Sequence, residues 1–366
     1  MRVTLSFILA LTAASAPAGA ATETLCAKAQ PTLPNLICVE SARGVALAAD
    51  RPRAETLLAL AEVGADRFIA RFGMAPVRYA VVEGADAPIG RPERETLRSA
   101  GFVNTMPWLS AKAYRTQVEA SVRRAVVAQT TGQAPEVVEA ATQQALSKLT
   151  AQFSPERRAK TDAQALPHEL GHIWYSKAYW PNAAIDKGDE YGGPSPDWLD
   201  EMAAVLMEDP ASFDKRVTQF GERYQKYRAD PAKAEENVRF MIDLPHYFQE
   251  RHPAGDAVRT LMEKQRAEGK AVGAITVLSG DEAKRVGANA ERFYLQSAVA
   301  AQYLADRSGD PKVFGRIGAA FARGETIEQW LTNRELKGKL PRDINKMQAD
   351  WLAWLDKKFP VMTVIS

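Results

Sequence analysis

The chain has 366 residues, 46% hydrophobic and 25% charged, the balance of an ordinary globular protein rather than a disordered or fibrous one. Its 47 Lys and Arg nearly cancel its 45 Asp and Glu, and no basic run stands out, so nothing supports binding to nucleic acid or a charged membrane surface. No repeat or low-complexity tract interrupts it.

Residues 1–20 read as a secretory signal: Arg2 supplies the positive start, Val3 to Ala14 an apolar stretch too short to span a bilayer, and Ala18-Gly19-Ala20 a small-residue cleavage site. No later stretch is long and apolar enough for a membrane span. Export fits the cysteine usage. The only two, Cys26 and Cys38, flank Pro31 and Pro34 in a segment over 21–50, and in an oxidising compartment they are expected to form a disulfide. The protein is therefore expected to be periplasmic or secreted.

From Arg53 to Phe72, Leu57, Leu58, Ala61, Phe68, Ile69 and Phe72 recur at helical steps. Gly73 to Pro76 ends that helix, and Val77 to Val82 reads as a strand. Residues 84–95 have a loop's composition. Gly101 to Leu109 is either an edge strand, which Pro107 would suit and a substrate backbone could extend, or a connecting loop. Two helices follow, one marked by Tyr114, Val118, Val122, Ala125 and Val126, the other opened by Pro135 and carrying Val138, Ala141, Ala145 and Leu149.

The chemistry is concentrated in His168-Glu169-Leu170-Gly171-His172. Two His four apart on a helix project from one face, so both imidazoles reach one Zn²⁺, and the intervening Glu is placed to take a proton from water at the metal. Pro167 conflicts with a helix here, so the helix is expected to begin near Leu166 or to bend. A third ligand is needed. Tyr175 and Ala178 stand where a metzincin has its Gly and third His, which leaves an acid. Glu201, at the start of the apolar helical run from Pro196, is favoured over Glu190, which sits in a Gly-rich loop. Trp174, Tyr175, Tyr179, Trp180 and Trp198 either line a cleft or, as such clusters more often do, pack in the core. From Trp198 on the pattern is nearly all helical, with breaks near Asp209-Pro210, Asp230-Pro231, His252-Pro253 and Gly309 to Pro311.

H-E-L-G-H followed by W-L-D-E-M-A resembles the gluzincin branch of zinc metallopeptidases, whose second motif reads W-L-x-E-G-x-A. A third block, Phe293-Tyr294-Leu295-Gln296-Ser297 and then Gln302-Tyr303-Leu304, resembles the Y-x-Q-S…Y-L segment of peptidase-MA-like proteins. The likeness runs from about Asp162 to Leu355, and only its first block is highly specific. It implies an α+β, zincin-like fold with a thermolysin-type gluzincin core: a small mixed sheet flanking the motif helix over 51–197, and a mostly helical subdomain over 198–366. It also implies one Zn²⁺ on His168, His172 and Glu201, with Glu169 as general base and a peptide or protein as substrate. Tyr294 carries over as a transition-state hydrogen-bond donor; His246, in Leu244-Pro245-His246-Tyr247, is the reserve, and His252 is read as structural. Two departures stand out. Met202 replaces the Gly after the ligand acid, and Val205 occupies the position of a supporting carboxylate, a role Asp197 or Asp200 would have to fill. A zinc-holding exported protein without turnover, or a zinc hydrolase of non-peptide substrates, stays open as an alternative.

Overall fold

The computed structural model describes residues 23–183, 194–234, 236–257, 260, 280–333 and 338–361. The expected signal segment and Glu190 lie outside them.

The chain opens with a short helix α1 (Leu25–Ala29) and the hairpin β1 (Ile37–Glu40) and β2 (Gly44–Ala48), and the Cys26–Cys38 disulfide ties α1 to β1. Asp50 then caps α2 (Arg51–Phe72) by accepting from Arg53 N, and Gly73 closes it in the left-handed conformation (φ 72°) that a side chain would disfavour. β3 (Tyr79–Gly84), α3 (Arg91–Ser99) and β4 (Asn104–Leu109) follow. The strands form one sheet in the order β1-β2-β3-β4, antiparallel in the first pair and parallel in the other two. Every residue of β2 and β3 is buried, because both faces are covered. On one face Ala46, Ala48, Tyr79 and Val81 join the main core with α2; on the other, Val45, Leu47, Ala80 and Val82 pack with Leu97, Phe102 and Leu36.

β4 is an edge strand, which settles the alternative left open for this segment. Asn104 N donates to Arg78 O, so by strand alternation Met106 and Trp108 also face β3 while Thr105, Pro107 and Leu109 face outward. Pro107 therefore lacks an N–H only on the side that needs none. Residues 84–95 are not wholly loop: α3 starts at Arg91, hidden from the sequence because Leu97 is its one buried residue.

After β4 come the helices α4 (Ala111–Gln129) and α5 (Pro135–Ser147), then the long helix α6 (Pro155–Tyr179). α6 starts well before Leu166. Ser154 caps it by accepting from Arg157 N, Pro155 suits its first position, and Pro167 lies inside it. The hydrogen bond forfeited at Pro167 is tolerated because that ring is buried against α2, where Gly64 has no side chain to obstruct it.

The remainder is helical: α7 (Asp197–Met207), α8 (Pro210–Ala229), α9 (Glu236–Met241), α10 (Leu244–Tyr247), α11 (Gly280–Ser308), α12 (Val313–Ala322), α13 (Ile327–Asn333) and α14 (Ile344–Lys358). The protein is thus α+β, a small mixed sheet followed by helices. One core runs from Val39 and α2 through α6 and α7 to Trp351 and Trp354 on α14, so the two halves differ in secondary structure but share their interior. Among the described residues no helix is long and apolar enough to cross a membrane.

Candidate metal centre

α6 and α7 cross at Gly171, between the two motif histidines. A Cβ there would lie 2.8 Å from Met207 Cγ and 3.1 Å from Ala204 Cα, so the absence of a side chain sets how closely the helices approach. That approach carries Glu201, on the second turn of α7, to His168 and His172. One ligand atom from each of the three lies within 4.8 Å of the others. His168 Nε2 is 3.4 Å from Glu201 Oε1 and His172 Nε2 is 3.9 Å from Glu201 Oε2. Ligands held tetrahedrally at about 2.1 Å from one ion are about 3.4 Å apart, so the spacing suits a metal after a small contraction.

The outer nitrogens fix the roles of the inner ones. His168 Nδ1 lies 3.0 Å from Glu208 Oε1 and His172 Nδ1 lies 2.9 Å from Asp200 Oδ2. Each carboxylate accepts the Nδ1 proton, which turns the Nε2 lone pair inward. Both oxygens of Glu201 are buried and, among the described residues, accept no hydrogen bond. Buried acceptors rarely go unmet, and here imidazole and carboxylate acceptors converge on one point; a cation is what satisfies them together. Burial pushes the Glu201 carboxyl up to about 7 in spite of the two imidazoles. Burial also works against charge on His172, but Asp200 and Glu201 outweigh it and raise that imidazole to about 10; His168 is raised likewise by Glu201 and Glu208. Protons and a metal ion thus compete for the same lone pairs.

Glu169, one residue along from His168, is exposed on the same helix, and its charge reaches His172. Asp200 does support an imidazole, whereas Asp197 serves elsewhere, accepting from the backbone N–H of His252. Glu208 was not anticipated, and no local pattern marks it.

Tyr294, half-buried on α11, sets its ring 5.9 Å from that of His168, edge to face. His246 does not join the group. It stacks on Phe240 at 4.5 Å and faces Glu250 at 3.7 Å, and the neighbouring Tyr247 hydroxyl donates to Trp198 O. The histidine that does is His252, fully buried, with Nε2 3.7 Å from Glu201 Oε2. Gly255 N donates to its Nδ1 at 3.4 Å, so Nε2 carries the proton and is a donor rather than a fourth ligand. Phe293 and Tyr294 pack against its ring. Sequence alone offered only a lone His before a Pro.

Trp174, Tyr175 and Trp198 are buried in the main core, with Tyr179 and Trp180 packed against it, so this aromatic group is core rather than cleft lining. Met202 is wholly buried in the same core and leaves the ligand set untouched. Comparison with family models, with curated proteins and with solved structures finds no match for this chain.

Proposed function

We propose that this chain is a zinc-dependent peptidase of the gluzincin type, exported to the periplasm or secreted. One observation carries the reading: His168, His172 and Glu201 converge as acceptors, each imidazole backed by its own carboxylate, on the helix that also presents an exposed Glu169. The mixed sheet beside the motif helix and the helical second half agree with a zincin-like fold, and the disulfide with export.

Bound Zn²⁺ supplies Lewis acidity and lowers the pKa of a water to about 7. Glu169 accepts the proton of the attacking water and delivers it to the leaving amine. Glu208 and Asp200 hold the two imidazoles in the tautomer that ligation requires. His252 Nε2–H and the Tyr294 hydroxyl flank the centre as donors for the oxygen that gains charge when the carbonyl becomes tetrahedral. The outer edge of β4 offers an extended substrate a main-chain acceptor at the half-buried Pro107, while Arg158 already holds Leu109 O.

The competing reading, a zinc-holding exported protein without turnover, draws on the burial of all three ligands. Incubating the mature protein with a diverse peptide mixture, with and without a chelator, decides between them. Chelator-sensitive cleavage supports the peptidase. Zinc binding with no cleavage of any peptide favours the non-catalytic reading, and absence of zinc binding refutes both.

A further inference from the structure

Glu208 is wholly buried, yet no sequence motif accounts for it or for the residue that neutralises it. That residue is Arg216, two turns along on α8. Its Nε donates to Glu208 Oε2 at 2.7 Å and its Nη2 to Oε1 at 2.6 Å, a two-pronged pair in the interior. Oε1 is the same oxygen that lies 3.0 Å from His168 Nδ1. The other face of this guanidinium is also used: its Cζ lies 4.9 Å from the centre of the Tyr294 ring, and that ring meets the His168 ring edge to face. Four side chains, from α6, the C-cap of α7, α8 and α11, therefore close a loop in the order His168, Glu208, Arg216, Tyr294 and back to His168.

We propose that Arg216 is a positioning residue for the metal centre, one guanidinium fixing Glu208 on His168 and the Tyr294 ring beside the same imidazole. The inference deepens the zinc reading and rests on it. His172 needs no such device, because its partner Asp200 keeps some contact with solvent, whereas Glu208 has none. A carboxylate enclosed that far is held in one orientation by the two hydrogen bonds of the cation beside it. Arginine suits the task better than lysine, since a planar fork sets the carboxylate's rotation as well as its charge while the flat face packs on a ring.

The test is zinc affinity, measured by competition with a chromogenic chelator on Arg216→Met, Arg216→Lys, Glu208→Gln and the Arg216→Met/Glu208→Gln double variant. Loss of a partner behind a ligating imidazole lowers metal affinity about 10–100-fold, and Arg216→Met is expected in that range. Arg216→Lys keeps the charge but not the fork and should fall between it and the wild type. If Arg216 acts through Glu208, the double variant loses no more affinity than the weaker of the two single variants. Wild-type affinity in folded Arg216→Met overturns the proposal, as do fully additive losses in the double variant. Should Arg216→Met fail to fold, Arg216→Lys decides, and unchanged affinity there overturns the proposal equally. A wild type that binds no zinc is a different result, one that removes the zinc reading itself.

Discussion

α6 carries two buried polar clusters less than two turns apart, and they are built on opposite plans. Near its middle, Asp162 lies between Arg53 at 2.7 Å and Arg158 at 2.8 Å and accepts from Trp108 Nε1 at 3.0 Å, while Glu83 pairs with Arg53 at 2.5 Å. Two acids face two bases, so charge is balanced within the group, which ties β3, β4 and α2 to the helix. At His168 and His172 the chain gathers acceptors around Glu201, and among the described residues neither of its oxygens accepts a hydrogen bond. Buried charge does not by itself mark a functional site. The mark is a polar cluster that the chain leaves incomplete, since folding alone gains nothing from it.

The contrast breaks most sharply under two substitutions. Glu169→Gln removes the proton acceptor and leaves the ligands alone, so turnover should fall about 10²–10⁴-fold with zinc content unchanged. Full retained activity would remove Glu169 from its role. Asp162→Asn should do the reverse, costing on the order of 3 kcal/mol of stability in denaturant unfolding. That is the low end for breaking a buried pair, because both guanidiniums keep some solvent contact. Zinc affinity of the folded variant should not move; if it does, the two clusters are one.

Protons probe the same difference. The Glu201 carboxyl, ordinarily near 4.5, is pushed up to about 7 by burial, and His172 is raised to about 10 by its carboxylates. Between pH 4.5 and 7 the metal-free folded state holds a proton on Glu201 that the unfolded chain has released, so stability falls as pH rises. His172 acts in the same direction: its contribution is complete below about 6.5, the ordinary His value, and is lost as pH climbs through 10. The metal-free protein should therefore melt lower at pH 8 than at pH 5.5. Zinc takes only the deprotonated ligands, so its added stabilisation should grow over that window. Thermal melts with and without chelator at the two pH values check both slopes, and a zinc effect that shrinks with rising pH would contradict the ligand set.

What could be read in advance follows from range. The two His, four apart on one helix, and Glu201 on an apolar helical run are local patterns, and so are β3, α4 and α5. Glu208, Arg216 and His252 are not, because they reach the centre only through packing of the end of α7, of α8 and of the segment after α10 around α6. Two local readings failed for physical reasons. Pro167 costs a helix its hydrogen bond and so predicts a start near Leu166 or a bend, yet capping by Ser154 and contact with α2 at Gly64 let α6 begin at Pro155 and continue through it. His246 is expected as the reserve donor on the strength of its neighbours in sequence, whereas its ring lies on Phe240 and beside Glu250.

The smallest expected effects separate the two flanking donors. His252 is enclosed, its Nδ1 accepts from Gly255 N, and Asp197 and Phe293 fix its backbone and ring, so its Nε2–H is held in place before substrate arrives. His252→Gln is expected to lower kcat about 10²-fold, as when a preorganised donor is removed from an oxyanion site. Tyr294 is half-buried beside the Arg216 guanidinium, and Tyr294→Phe removes a single neutral hydrogen-bond donor, so it should lower kcat about tenfold with little change in KM. Steady-state kinetics on the two variants ranks them. Were Tyr294→Phe the more damaging, charge would develop on the α11 side of the centre, and His252 would return to a purely structural place beneath Glu201.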